Sequence, residues 1–193
     1  MGITTRLIDA AERRFGEKLD YLRDIASASP AAFYKFALFL TFARHRKAAP
    51  LDAYYLASIG ALQSEDCGPC LQIAVNQALA EGVSPSVISA AVAGGASLDE
   101  DRKLYLDFGR AVAANVPEAE KLRLKLAEKL SPAAMVDLAI AIAGARVFPA
   151  LKRGLGHAKS CSLVQIRIPG LAAKTARNTQ SQPLGESESM KFG

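Results

Sequence analysis

The sequence predicts an all-α domain, a multi-helix bundle of about eight helices. Half of its residues are apolar and Trp is absent. Much of the apolar fraction is Ala and Leu, which suits closely packed helices better than sheets. Apolar residues recur at three- and four-residue steps, as on one face of a helix. No stretch before residue 160 alternates between apolar and polar residues, as a half-buried strand would.

The first half of the chain contains four predicted helices. Each combines apolar residues at helical spacing with a recognisable start or end. Ser29 and Pro30 supply a cap and a favoured first-turn residue for the second helix. Gly82 is placed to end the fourth. The predicted ranges are 7–25, 31–46, 51–62 and 67–81.

The second half contains four more predicted helices. A Ser-Pro pair begins the fifth and the eighth, Pro117 begins the seventh, and residues 97–100 fit a capping box for the sixth. The eighth helix is apolar on nearly every face until Pro149. Such a helix is central in a bundle or shared between subunits, so we expect a homo-oligomer. The fifth, sixth and eighth ranges are 85–96, 97–114 and 132–149.

The chain divides into a helical domain, residues 1–152, and a basic, largely irregular C-terminal tail, residues 153–193. Six basic residues and no acidic residue occur between positions 152 and 177. From residue 171 onward small and polar residues dominate, which is typical of disorder. Only residues 162–168 resemble a strand, and one strand makes no sheet.

Charge and cysteine content indicate the environment of the protein. The net charge is +5, but basic and acidic residues are mixed through most of the chain, so we predict no nucleic-acid partner. Three cysteines are too few for a disulfide framework, and the N-terminus is unlike a signal peptide. The longest apolar run, residues 133–151, is interrupted by Asp137, Arg146 and Pro149 and falls short of a membrane span. We therefore expect a soluble, cytoplasmic protein with no membrane partner.

The most informative motif is Cys67-Gly68-Pro69-Cys70 at the start of the fourth helix. Residues three apart share one face of a helix, so the two sulfurs lie within bridging distance. The unpaired N–H groups and the dipole of a helix start favour a thiolate, which is the nucleophilic form. The motif therefore suits reversible exchange between a dithiol and a disulfide.

Three other interpretations of the motif stay open. A zinc site needs two more ligands, and His45, His157 and Cys161 are isolated in the sequence. Two buried structural cysteines are the simplest alternative. Thioredoxins carry the same tetrapeptide, but they place it after a strand, and here an Ala-rich helix precedes it. We expect Cys161 to be a spare thiol.

The context of the motif resembles the carboxymuconolactone decarboxylase family, in particular its alkylhydroperoxidase D-like branch. The shared pattern covers residues 51–95: a helix, a short break, a Cys-x-x-Cys pair opening a longer helix, then Gly82 and residues 84–88 opening the next. The family-like core extends over about residues 31–115. The resemblance implies an all-helical oligomer, and we expect no cofactor and no metal. It also implies that Cys67 and Cys70 reduce hydroperoxides with electrons from a dithiol partner.

Two expected residues of the family are missing. The active branch has a His four residues after the second cysteine, where this chain has Ala74, and a Glu on the preceding helix, where it has Tyr55. Glu65 is a candidate catalytic base close to the pair, with a plain surface carboxylate as the alternative. A carboxylate beside Cys67 would, however, oppose formation of the thiolate.

We therefore predict a dithiol oxidoreductase that acts on hydroperoxides or disulfides, with Cys67, Cys70 and Glu65 as candidate catalytic residues. The family assigns the attacking thiol to the second cysteine, whereas the helix-start argument favours the first as the more exposed. One alternative is a non-catalytic helical oligomer of the same fold with a vestigial pair. The other is a lactone decarboxylase-like lyase, whose chemistry has no use for two cysteines.

Overall fold

The computed structural model of the protein describes residues 2–159, 165–170 and 174–175. This part of the chain is mostly helical, which confirms the all-α prediction. Its nine helices and two short strands are α1 (Ile3–Phe15), α2 (Asp20–Ala28), α3 (Pro30–Ala43), α4 (Leu51–Ser64), α5 (Gly68–Ala80), α6 (Pro85–Val92), α7 (Glu100–Ala114), α8 (Glu118–Ala127), α9 (Pro132–Gly154), β1 (Gln165–Ile166) and β2 (Lys174–Thr175).

Side-chain caps define several helix starts. Ser29 accepts a hydrogen bond from the N–H of Ala32 at 3.3 Å, and Ser131 accepts one from Ala134 at 3.2 Å. The starts at Ser29-Pro30 and Ser131-Pro132 are therefore confirmed with their serine caps. Helix α6 also begins at Pro85, as predicted, but the Ser84 side chain makes no capping hydrogen bond. The capping box predicted at 97–100 is wrong, because α7 is capped by Asp99, whose carboxylate accepts from the N–H of Arg102 at 2.9 Å.

The predicted helix 7–25 is two helices. The chain leaves α1 at Gly16, which adopts a left-handed φ of 68° and donates its N–H to Glu12. The Glu12 side chain then accepts from the N–H of Leu19 at 2.9 Å, which fixes the turn into α2. Only glycine adopts this φ without strain, so the break overrides an apolar pattern that continues across it.

Two other predicted ends are displaced. Helix α6 stops at Val92 rather than near residue 96, because Gly94 and Gly95 take φ values of 108° and 86°. Helix α9 does not end at Pro149 but continues to Gly154. Proline removes one backbone hydrogen bond, and burial of Pro149 itself, together with packing of Leu151 on the N-terminal helices, offsets that loss.

Helix α4 lies at the centre of the main core. It packs against α5, α6, α7 and α9, and most of its residues are buried. Its closest neighbour is α7, where Gly60 faces the carbonyl of Leu106 and Gly109 faces the carbonyl of Ala57. A Cβ at either glycine would overlap the facing oxygen. The absence of two side chains therefore sets how closely the two helices approach.

A second, smaller apolar cluster joins the N-terminal helices to this core. It combines residues of α1, α2 and α3 with Ile73 of α5 and Leu151 of α9.

A buried carboxylate holds the loop between α3 and α4. Asp137 of α9 is 2% exposed and accepts the backbone N–H groups of Lys47, Ala48 and Ala49 at 2.8, 2.7 and 2.9 Å.

Part of the segment assigned to the tail packs on the domain. Strand β1 pairs antiparallel with β2, and Ile166 and Ile168 are buried in the main core. The Gln72 amide accepts from the N–H of Arg167 at 2.7 Å and donates to its carbonyl at 3.0 Å. Cys161 and most of the predicted irregular region lie outside the described residues.

Helix α9 is longer than the sequence suggested. Its 23 residues are long and apolar enough to cross a membrane by length and composition alone, so the expectation that no apolar run reaches that length is wrong. Core helices of water-soluble proteins have the same property. Here 44% of the apolar window is buried inside the domain, and Asp137 and Lys152 are among its buried residues.

The close approach of α4 and α7 predicts a large cost for one added methyl group. We expect Gly60→Ala or Gly109→Ala to lower the free energy of unfolding by about 3 kcal/mol or more, because the facing atoms are backbone and cannot move aside. Gly154→Ala is the matched control, since a Cβ there meets no atom within 4 Å. Urea denaturation measures all three. An equal effect at Gly154 would contradict the packing argument.

The buried Asp137 predicts a pH-dependent stability. Burial favours its neutral form, but the three backbone hydrogen bonds outweigh burial and lower its pKa. The folded pKa therefore lies below the unfolded value of about 3.9, so the ionised group stabilises the fold above that pH. This contribution disappears as the pH falls through the folded pKa. Asp137→Asn should lose about 2 kcal/mol or more at pH 7.

Thermal denaturation between pH 7 and pH 3 tests this prediction. The difference between wild type and Asp137→Asn should shrink as the pH falls below about 4. Asp20→Asn, at an exposed position in the first turn of α2, is the control and should change stability much less. A difference that stays constant across this range would show that the charge of Asp137 is not what holds the loop.

Candidate functional site

The Cys-x-x-Cys pair lies at the start of α5, as predicted, and forms a disulfide. Cys67 is the N-cap residue and Cys70 lies in the first turn, with a Cα–Cα distance of 5.3 Å. Pro69 has no N–H to leave unpaired in that turn. The N–H of Gly68 donates to the carbonyl of Lys159 at 3.2 Å. The segment after α9 therefore covers one side of the motif.

The two cysteines differ in their surroundings. Cys67 is 1% exposed and Cys70 is 5% exposed, and both pack in the main core, but Cys70 also lines a cavity. The expectation that the first cysteine is the more accessible is therefore wrong.

The cavity has a volume of about 370 Å³. It lies among α1, the start of α2, α3, α4, α5 and α9. Most of its wall is apolar, from residues such as Leu40, Leu62, Ile73, Ala141 and Phe148. This volume is within the range of small-molecule sites in proteins.

The cavity follows α5 for three turns. Cys70 lines one end and Glu81 the other, and eleven residues at 1.5 Å each correspond to about 16 Å. At the Glu81 end, the lining residues Arg14, Arg44 and Arg46 are exposed, so this end is the mouth. The lining residues near Cys70 are buried, so that end is the inner one.

The inner end contains a buried amine. Lys152 of α9 lines the cavity, is 3% exposed, and places Nζ 5.0 Å from the centre of the Tyr21 ring. Burial lowers its pKa. Within the described residues, no acidic side chain forms an ion pair with it. The next residue, Arg153, binds Glu65 just before the disulfide, which locates this turn of α9 beside the start of α5.

The two positions at which the resemblance implies His and Glu line this same cavity. Ala74, where the family has His, lies one turn after Cys70 and lines the cavity. Tyr55, where the family has Glu, lines it from α4, and burial raises its pKa. The neighbouring Tyr54 donates its hydroxyl to the carbonyl of Ala43 at 2.9 Å, and burial raises its pKa to about 12. Neither tyrosine ionises near pH 7, so neither replaces the missing carboxylate.

Glu65 is held by two arginines. It is the C-cap residue of α4. Its carboxylate accepts hydrogen bonds from Arg146 Nε at 2.8 Å and Arg153 Nη2 at 2.5 Å. Burial favours the neutral form, but the two hydrogen bonds outweigh it and lower the pKa of Glu65. A carboxylate occupied in this way is a poor proton acceptor. These contacts favour a structural role, in which Glu65 joins α4 to α9.

Two amides on α5 are also structural. Besides its bonds to Arg167, Gln72 donates to Asn76 at 2.8 Å, and Asn76 donates to the carbonyl of Phe15 at 2.6 Å. These contacts tie α5 to β1 and to the end of α1. No group of three His, Cys, Asp or Glu side chains is placed to hold a metal ion in residues 2–159 or the described segments that follow.

Sequence reasoning missed Lys152 and the cavity itself. The only signal was a Lys-Arg pair in an apolar helix, which resembles an ordinary helix end. The comparisons with known proteins add nothing: no family model matches the chain, and no curated protein or solved structure matches it significantly.

Proposed function

We propose that this protein is a dithiol oxidoreductase of the alkylhydroperoxidase D-like type, which reduces organic hydroperoxides or disulfides. One observation carries the proposal: Cys70 faces a cavity of small-molecule size while bridged to Cys67 at a helix start. Four basic lining residues and one acidic residue give the cavity a positive surface, which favours a thiolate.

The proposed cycle has three steps. The Cys70 thiolate attacks the terminal oxygen of a hydroperoxide, the O–O bond breaks, and the alkoxide leaves and takes up a proton to become an alcohol. The resulting sulfenic acid condenses with the Cys67 thiol to form the disulfide and water. A dithiol donor then reduces the disulfide by exchange and is itself oxidised. Exposure to the cavity supports Cys70 as the attacking thiol, and Cys67 as the resolving one.

The missing relay favours a second candidate function. With Ala at position 74 and Tyr at position 55, the two groups that transfer protons in the relay implied by the family resemblance are not present. A non-catalytic protein with a vestigial pair would show the same substitutions. The two functions differ in thiol chemistry, because a vestigial pair needs no fast-reacting thiolate.

We also propose that the protein is a homo-oligomer. Helix α3 carries an apolar stripe, Tyr34, Leu38 and Phe42, spaced four residues apart and facing solvent in the single chain, with Leu38 70% exposed. Contiguous apolar surface of this kind is typical of protein–protein contacts. Static light scattering of the purified protein tests the proposal, and a monomer at micromolar concentration would contradict it.

The redox function predicts a specific dependence on each cysteine. With excess dithiol donor, wild type should consume an organic hydroperoxide faster than buffer, and Cys70→Ser should reduce the rate to background. Cys67→Ser should give one rapid turnover and then stop, because no resolving thiol is present. Cys161→Ser is the matched control and should behave as wild type. Turnover that persists in Cys70→Ser would contradict the assignment.

The relay positions predict a gain of activity in the same assay. Ala74→His places an imidazole in the cavity one turn from Cys70, and Tyr55→Glu adds a carboxylate facing it. General acid–base catalysis contributes about a hundred- to ten-thousandfold, so we expect the double variant to gain at least about tenfold.

Ala80→His is the matched control for that variant. Position 80 also lines the cavity but lies ten residues along α5, about 15 Å from Cys70. It should give no gain. A folded double variant without a gain in peroxide turnover would indicate that the pair exchanges disulfides rather than reducing peroxides.

A further inference from the structure

The inner end of the cavity combines an apolar wall with one buried amine. Lys152 is 3% exposed, and no hydrogen bond or ion pair reaches its Nζ within the part of the chain that the structure describes. It lies over the face of Tyr21, at 5.0 Å. Glu17 acts on it electrostatically, but that carboxylate is paired with Arg167, and burial still lowers the pKa of Lys152. Burying an ammonium group without a counter-anion is unfavourable by several kcal/mol.

Asp137, a second buried charged residue on the same helix, is fully hydrogen-bonded and so provides a comparison. Asp137 is equally buried, and three backbone N–H groups surround its carboxylate. Within the described residues, Lys152 receives no hydrogen bond or ion pair, and Glu17 acts on it only at longer range. Its amine instead borders a space of about 370 Å³, large enough for about a dozen water-sized groups.

We infer that the cavity is a binding site for an organic anion with an apolar body, and that Lys152 holds the anionic group at the inner end. The apolar wall along α5 would take the rest of the ligand, over about 16 Å from Cys70 towards the mouth. An anion against Nζ supplies the missing counter-charge and makes charge-assisted hydrogen bonds. The binding site does not depend on the proposed redox function. Only the identification of this ligand as a substrate for Cys70 rests on it.

Calorimetric titration of the oxidised protein tests the site directly. In that form both sulfurs are in the disulfide, so no thiolate competes as a counter-anion for Lys152. The probes share one chain and differ in charge: octanoate, octan-1-ol and octyltrimethylammonium. We expect octanoate to bind at least about tenfold more tightly than octan-1-ol, which corresponds to one charge-assisted hydrogen bond, and the cation to bind least. Equal binding of octanoate and octan-1-ol, or no binding of either, would overturn the inference.

Variants then locate the anionic group. Lys152→Met removes the charge at similar length and should abolish the preference for octanoate while leaving octan-1-ol binding unchanged. Lys152→Arg keeps the charge and should retain the preference. Arg44→Met removes a cation at the mouth and is the matched control. A preference lost in Arg44→Met but kept in Lys152→Met would place the anion at the mouth and contradict the assignment.

Two measurements keep the result interpretable. Circular dichroism reports whether each variant is folded. If Lys152→Met is not folded, an NMR measurement on wild type replaces the titration of that variant. The ¹⁵N resonance of Lys152 Nζ should then shift on addition of octanoate and not on addition of octan-1-ol. The absence of that shift would contradict the inference. Peroxide consumption is a separate assay, so a protein that binds octanoate but reduces no peroxide would refute the redox function alone.

Discussion

The close contact between α4 and α7 is the constraint on which the rest of the architecture depends. Gly60 and Gly109 let the two backbones approach until each helix touches a carbonyl of the other. Helix α4 can then be buried on nearly all sides, with α5, α6 and α9 packed on its remaining faces. Because α5 follows α4 after a short break, this packing also determines where Cys67 and Cys70 lie.

The cavity results from how the other helices meet around that centre. Small residues on the facing helices, among them Ala43, Ala74 and Gly144, leave space that larger side chains would fill. A Cβ at Gly144 would lie 2.9 Å from the Cβ of Ala43, so α3 and α9 close one wall tightly while the space beyond stays open. The disulfide therefore lies between a dense core, which holds Cys67, and a cavity, which Cys70 borders.

Local sequence signals predicted most of the helices but not their long-range contacts. Local signals, such as the Ser29 cap and the cysteine spacing, act within a few residues, and the structure confirms them. The break at Gly16 was missed because the apolar pattern continues across it, and α9 passes Pro149 because burial outweighs one lost hydrogen bond. The pairing of Gln72 with Arg167 joins residues 95 positions apart, so no local pattern could predict it.

The two buried charges of α9 connect the fold to the site. Asp137 and Lys152 are fifteen residues apart on one helix, about 22 Å, and each is almost completely buried. The carboxylate is surrounded by backbone donors and fixes the loop between α3 and α4, close to Arg46 at the mouth. Within the described residues, the amine borders an aromatic face and the cavity, and Glu17 acts on it only at longer range. Asp137 is therefore fully hydrogen-bonded within the fold, whereas the amine of Lys152 faces open space. We infer that an anionic ligand binds there.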